Sequence, residues 1–65
     1  MHHYYFIDNN TGEQFIVGAG NVLEAKIIAE GIADDLASIY GGTPDLSYKY
    51  EMTDDEAEAS GLDEY

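Results

Sequence analysis

From Asn21 to Tyr40 the chain carries one sustained helical pattern, and whatever else forms must pack around it. Asn21 suits the N-cap, because its side-chain oxygen can accept a free first-turn amide. Glu24, three residues on, can answer the cap amide and favours the positive end of the helix dipole. Gly41 and Gly42 supply left-handed backbone at the other end, and Pro44 follows. Between these limits Ala25, Ile28, Ala29, Ile32, Leu36 and Ile39 form one apolar stripe, widened by Val22, Ala33 and Tyr40. Lys26, Glu30, Asp34 and Ala37 fall opposite it. Gly31 costs the helix roughly 1 kcal/mol relative to alanine, and reads as a place where a neighbouring element approaches closely. Leu23 and Ile27 point away from the stripe, either covered by another segment or open to a partner. Asp34 and Asp35 lie where negative charge gains nothing from the dipole, and read first as a solvated face.

The flanking segments supply strands. His3 to Asp8 is aromatic and β-branched, Asn9-Asn10-Thr11-Gly12 is a turn with positive φ expected at Gly12, and Gln14 to Val17 returns. A four-residue loop pairs Phe6 with Phe15 and Tyr4 with Val17. These four form the core face, and Tyr5, Ile7 and Ile16 lie on the other. Gly18-Ala19-Gly20 connects to the helix. After a loop at Gly41 to Asp45, Leu46, Tyr48, Tyr50 and Met52 alternate with Ser47, Lys49 and Glu51, predicting a strand with one apolar face. Thr53 and Glu56 form a capping box that opens a short acidic helix ended by Gly61. Residues 61–65 read as a tail, flexible or folded back through Leu62 or Tyr65. The expected fold is α+β, a single ββαβ(α) domain over residues 1–65. A three-stranded antiparallel sheet of order 2-1-3 packs on one long helix, with a right-handed crossover.

Charge narrows the function. Fourteen Asp and Glu against two Lys, with no Arg, give a formal charge of −12. Such a chain repels nucleic acid and anionic membranes, so neither is expected as a direct partner, and it is attracted to basic surfaces. A hydrophobic content of 45% argues for a folded chain despite the charge. The lack of cysteine excludes disulfides and Cys-based zinc sites, and is compatible with the cytoplasm. No apolar run is long enough to span a bilayer, and no signal peptide is evident.

Catalytic and cofactor motifs are missing, so neither an enzyme, a cofactor site nor a specific metal site is expected. His2 and His3 sit at a terminus expected to fray, away from Ser38, Ser47 and Ser60. Gly18-Ala19-Gly20-Asn21 lacks the lysine and spacing of a phosphate loop. Asp54-Asp55-Glu56 lacks the alternating ligands and glycine of a calcium loop.

Half of the acidic residues fall between Glu51 and Tyr65, with no basic residue among them. Helix capping accounts for Asp54 to Glu56 but not for Glu58, Asp63 and Glu64, whose mutual repulsion costs stability. Small size and charge density resemble the phage-encoded anti-restriction and anti-CRISPR inhibitors as a class, without a shared motif. The leading expectation is a small acidic module docking on a basic protein surface, such as a nucleic-acid-binding protein whose ligand it mimics. Its contacts would be Asp54, Asp55, Glu58, Asp34 and Asp35. The alternative is a structural domain that forms a homodimer through apolar surface, with Tyr5, Ile7 and Ile16, or Leu23 and Ile27, as the seam.

Overall fold

The first two strands meet where the turn chemistry directs them. The computed structural model describes residues 1–65, with β1 (His2–Asp8), β2 (Gln14–Ala19), α1 (Val22–Tyr40), β3 (Leu46–Met52), α2 (Asp54–Ser60) and β4 (Asp63–Glu64) in chain order. Gly12 has φ 78° in the β1–β2 turn. Asp8 holds the same turn, its Oδ1 accepting the Asn10 amide at 2.9 Å. Tyr4 lies opposite Val17 and Phe6 opposite Phe15, the expected register. Gly18 and Ala19, expected in the connection to the helix, instead continue β2.

The sheet has four strands in the order β3-β1-β2-β4, of which the first three have the expected antiparallel 2-1-3 arrangement. The C-terminal segment corrects the expectation by adding a fourth strand parallel to β2, with Asp63 beside Phe15 and Glu64 beside Ile16. The amide of Tyr65 donates to the Ile16 carbonyl, and that of Gly18 to the Tyr65 carbonyl, both at 2.8 Å. The Tyr65 ring stands edge-on to Phe15 at 5.7 Å between centroids. The sheet is therefore mixed.

One face of the sheet receives α1. Tyr4, Phe6, Phe15, Val17 and Ala19 pack against Ala25 and Ala29, with Ile32, Leu36 and Leu46 at the margin. Phe6 and Phe15 stack at 5.9 Å. The buried face of α1 is centred on alanines, so the helix backbone lies close to the aromatic layer, and the larger residues of the expected stripe fall to its edge. Ile39 is 72% exposed and Ile28 is also solvent-exposed, whereas Ala37, expected opposite the stripe, is half-buried. Asn21 accepts the Glu24 amide at 2.9 Å, the forward half of the expected capping box; the return bond from Glu24 does not form. Asn10 ties the far end down, donating from its side chain to the Gly41 carbonyl at 2.8 Å.

The other face carries a second, smaller core of Ile16, Met52 and Ala57, flanked by Tyr5 and Leu62. Two expectations change here. Ile16 is fully buried beneath α2, so it is no surface for a partner; Tyr5 and Ile7, proposed with it, are partly covered. The alternation in β3 is also interrupted. Tyr5 pairs with Tyr50 and Phe6 with Tyr48, which leaves Lys49 as an extra residue in a β-bulge. The bulge sends Leu46 and Tyr48 to the α1 side, and Tyr50 and Met52 to the α2 side. The aromatic contacts agree: Tyr48 lies 5.4 Å from Phe6, and Tyr50 lies 5.2 Å from Tyr5.

The capping box of α2 is complete, with Thr53 Oγ1 accepting the Glu56 amide and Glu56 accepting the Thr53 amide. Gly61 closes the helix with φ 69°. No helix is long and apolar enough to cross a membrane.

A Cβ added at Gly31 meets nothing within 4 Å. Gly31→Ala therefore gains helix propensity without a clash, about 1 kcal/mol, and should raise Tm by roughly 4–8 °C in a thermal melt followed by circular dichroism. Ile16→Ala empties a filled position and should cost about 2–5 kcal/mol, whereas Leu23→Ala should stay within about 0.5 kcal/mol. Denaturant titration of the two variants side by side checks the contrast; equal losses would contradict the burial assigned to Ile16.

Candidate functional site

The surface is overwhelmingly negative. Of the fourteen carboxylates only Asp8 is buried; its Oδ2 has no hydrogen-bond partner, while its Oδ1 serves the β1–β2 turn. The other thirteen are exposed. Neither lysine is ion-paired with them, and the three ion pairs present all involve histidine. Lys26 instead leans over the Tyr48 ring at 5.8 Å.

Of the five acidic residues singled out from the sequence, the structure groups three and separates them from the other two. Asp54, Asp55 and Glu58 project from one side of α2, the side not occupied by Ala57, which is buried. Asp34 and Asp35 are exposed on α1, across the sheet from α2. The two groups therefore lie on opposite faces of the sheet and form separate acidic surfaces. Asp54 also has an internal task, since it is hydrogen-bonded to His3.

His3 has a structural role that the sequence does not announce. It lies in β1, on the face that α2 covers, and does not fray. Its Nε2 lies 2.5 Å from Asp54 Oδ1 and its Nδ1 lies 2.7 Å from Glu64 Oε2. Two carboxylate acceptors call for a donor on each ring nitrogen, which only the imidazolium provides. The hydrogen bonds to Asp54 and then Glu64 hold its pKa above the ordinary 6.5, against a smaller opposing effect of burial. His3 thus fastens the first turn of α2 and the β4 strand to the centre of the sheet. The sequence signal was its parity: His3, Tyr5 and Ile7 share a face, and the acid-rich end had to lie over one face of the sheet.

The apolar candidates also divide. Leu23 is 68% and Ile27 65% exposed, side by side on the outer face of α1. Tyr5 is half-buried, its hydroxyl donating to Gln14 Oε1 at 3.0 Å, and Ile7 is half-buried beside it. A hollow between α1 and β3 is lined by Phe6, Lys26, Glu30, Leu46 and Tyr48.

Comparison of the chain with protein-family models, with curated proteins and with solved structures finds no match.

The His3 geometry has a pH consequence. A histidine whose folded pKa is raised lends stability that is complete below the unfolded value of 6.5 and is lost as pH climbs through the higher folded value. The Tm of the protein should therefore decline as pH rises above about 6.5. His3→Gln keeps one donor but no charge, and should show a flatter profile across the same window. Calorimetric melts at closely spaced pH values test this; parallel profiles for the two proteins would contradict the role given to His3.

Proposed function

We propose that the chain is a small acidic binding module that docks on a basic protein surface, occupying it as a nucleic-acid mimic and so inhibiting a nucleic-acid-binding protein. One observation carries the reading: thirteen solvated carboxylates surround a folded core, and no lysine neutralises any of them by ion pairing. A surface that binds phosphates must be basic, and carboxylates held on a folded scaffold are attracted to it by the same long-range field. Asp55 and Glu58, with Asp54 beside them, supply the charge on the α2 side; Asp34 and Asp35 supply it on the α1 side. The encounter is assigned to the cytoplasm, and the module works without catalysis, metal or cofactor.

The exposure of Leu23 and Ile27 favours a second reading, in which two copies associate through α1 as a structural homodimer. The readings differ in their response to salt. Ionic docking weakens as the Debye length shrinks, and an apolar seam does not.

A pull-down from cell lysate with stepwise salt elution, and the protein's own mass in solution measured alongside, separates them. The expected result is a nucleic-acid-binding protein released at moderate salt from a monomeric bait and displaced by added DNA or RNA. Converting Asp55 and Glu58 to lysine, with Asp54 left on His3, should weaken that capture about tenfold or more, since close charge pairs are commonly worth over 1.4 kcal/mol. Unchanged capture by this variant would remove α2 from the site, and a salt-resistant dimer that captures nothing would favour the second reading.

A further inference from the structure

The outer face of α1 has a shape as well as a charge. Leu23, Ile27 and Gly31 follow one another at four-residue intervals, so they form one ridge along the helix. The two large residues are about two-thirds exposed, and Gly31 opens a notch into which nothing in the chain enters. Ile28 extends the apolar area on one side, and Ile39 continues the ridge beyond Asp35. A mid-helix glycine weakens the helix, and here no internal contact offsets the cost. A notch flanked by exposed aliphatic side chains is what a second helix needs for close approach.

The charges beside the ridge decide between occupants. Lys26, Glu30 and Asp34 line one side, with Lys26 turned over the Tyr48 ring; Glu24 lies on the other, and Asp35 stands in the ridge itself between Gly31 and Ile39, the carboxylates all exposed. A second copy would bring the same acidic rims face to face, each on a chain of charge −12. A helix with an apolar stripe bordered by Lys and Arg would meet each rim with the opposite sign. We propose that the outer face of α1 is a docking site for a basic amphipathic helix of a partner protein, with Leu23 and Ile27 as anchors and Gly31 as the point of closest approach. This rests on the reading of the chain as an acidic binding module, and moves the specific contact from α2 to α1.

The test uses a synthetic leucine–lysine peptide of about 18 residues with helical apolar periodicity, long enough to cover the ridge at 1.5 Å per residue. A control of identical composition is scrambled so that no stripe forms. Binding to the full chain is followed by fluorescence anisotropy, and the contact is mapped by amide chemical shifts. The periodic peptide should bind saturably and perturb α1, and the scrambled peptide should bind about tenfold more weakly. Joint Leu23→Gln and Ile27→Gln substitution should weaken binding about tenfold. Gly31→Gln should raise Tm and yet weaken the same binding, a combination that misfolding cannot produce. Reversal of Asp55 and Glu58 should change it by less than about threefold, since those residues lie across the sheet.

Equal binding of both peptides with shifts confined to α2 would overturn the docking site while leaving the acidic-module reading intact. No saturable binding of either peptide would overturn the site and count against that reading as well. A dimer that forms in sedimentation and disappears with the Leu23→Gln and Ile27→Gln variant would overturn the choice of occupant.

Discussion

The structure depends on the contact between the alanines of α1 and the stacked Phe6–Phe15 pair. Ala25 and Ala29 are fully buried against it, Ala33 is buried one turn further on, and these small side chains let the helix sit low on the aromatic layer. Packing density in such a layer leaves little tolerance for a larger residue at the contact. The close approach also fixes where everything else goes. With α1 on one face, Ile16 on the opposite side of β2 needs its own cover. Met52, Ala57 and Leu62 supply it, and the chain must cross to that face after β3 to bring them there. Two thin cores on the two sides of one sheet replace the single core that a chain this short would otherwise fill, and nearly all the charge is forced outward.

The parts legible in the sequence are those set by neighbours in the chain. Helix limits, the Gly12 turn, the hairpin register and the capping box at Thr53 each depend on a few adjacent residues, and each forms where local chemistry directs it. The bulge at Lys49 was not legible. Strict alternation from Leu46 to Met52 promises one apolar face, but pairing with β1 sets Tyr50 beside Tyr5 and Met52 over the second core. Short-range periodicity carries no record of that choice. The two-residue β4 has no period of its own and exists because Leu62 and Tyr65 dock on either side of it. Phe15-Ile16-Val17 is apolar without alternation, the pattern of a strand buried on both faces, and that pattern already calls for cover over Ile16 on the second face. For the candidate site, the five carboxylates singled out from the sequence are all exposed, but the burial of Asp8 was not legible. The sequence could not show that Asp34 and Asp35 lie across the sheet from Asp54, Asp55 and Glu58, because that separation is created by the path of the chain after β3.

Charge of one sign on so small a body works against the fold, and the placement of the few positive groups bears on how it survives. The accessible surface carries one net negative charge per about 330 Å². Residues 51–65 would be the most repelled segment, and they form the second layer of the structure. His3 is placed between Asp54 and Glu64, so one imidazolium relieves the first turn of α2 and the edge strand together. The lysines do something different. Lys26 lies over Tyr48, and Lys49 occupies the bulge at a sheet edge, where a charge discourages pairing with another strand. Positive charge is thus used to hold or protect the fold, and the outward-facing carboxylates of both helices are left without neutralising partners.

The outer face of α1 therefore combines two forces of different range. Around a Debye length of about 8 Å, the flanking carboxylates of α1 act as a group, and an approaching surface meets their combined field before it meets any side chain. At contact the field no longer discriminates well, since many basic surfaces satisfy it; the spacing of Leu23, Ile27 and the notch at Gly31 does. On the docking reading, charge governs how fast a partner arrives and the ridge governs how long it stays. Neither role needs a deep pocket or a catalytic group. A helix already fixed by its alanine face presents both on its far side, and substitutions there can alter binding without disturbing the contact that holds the protein together.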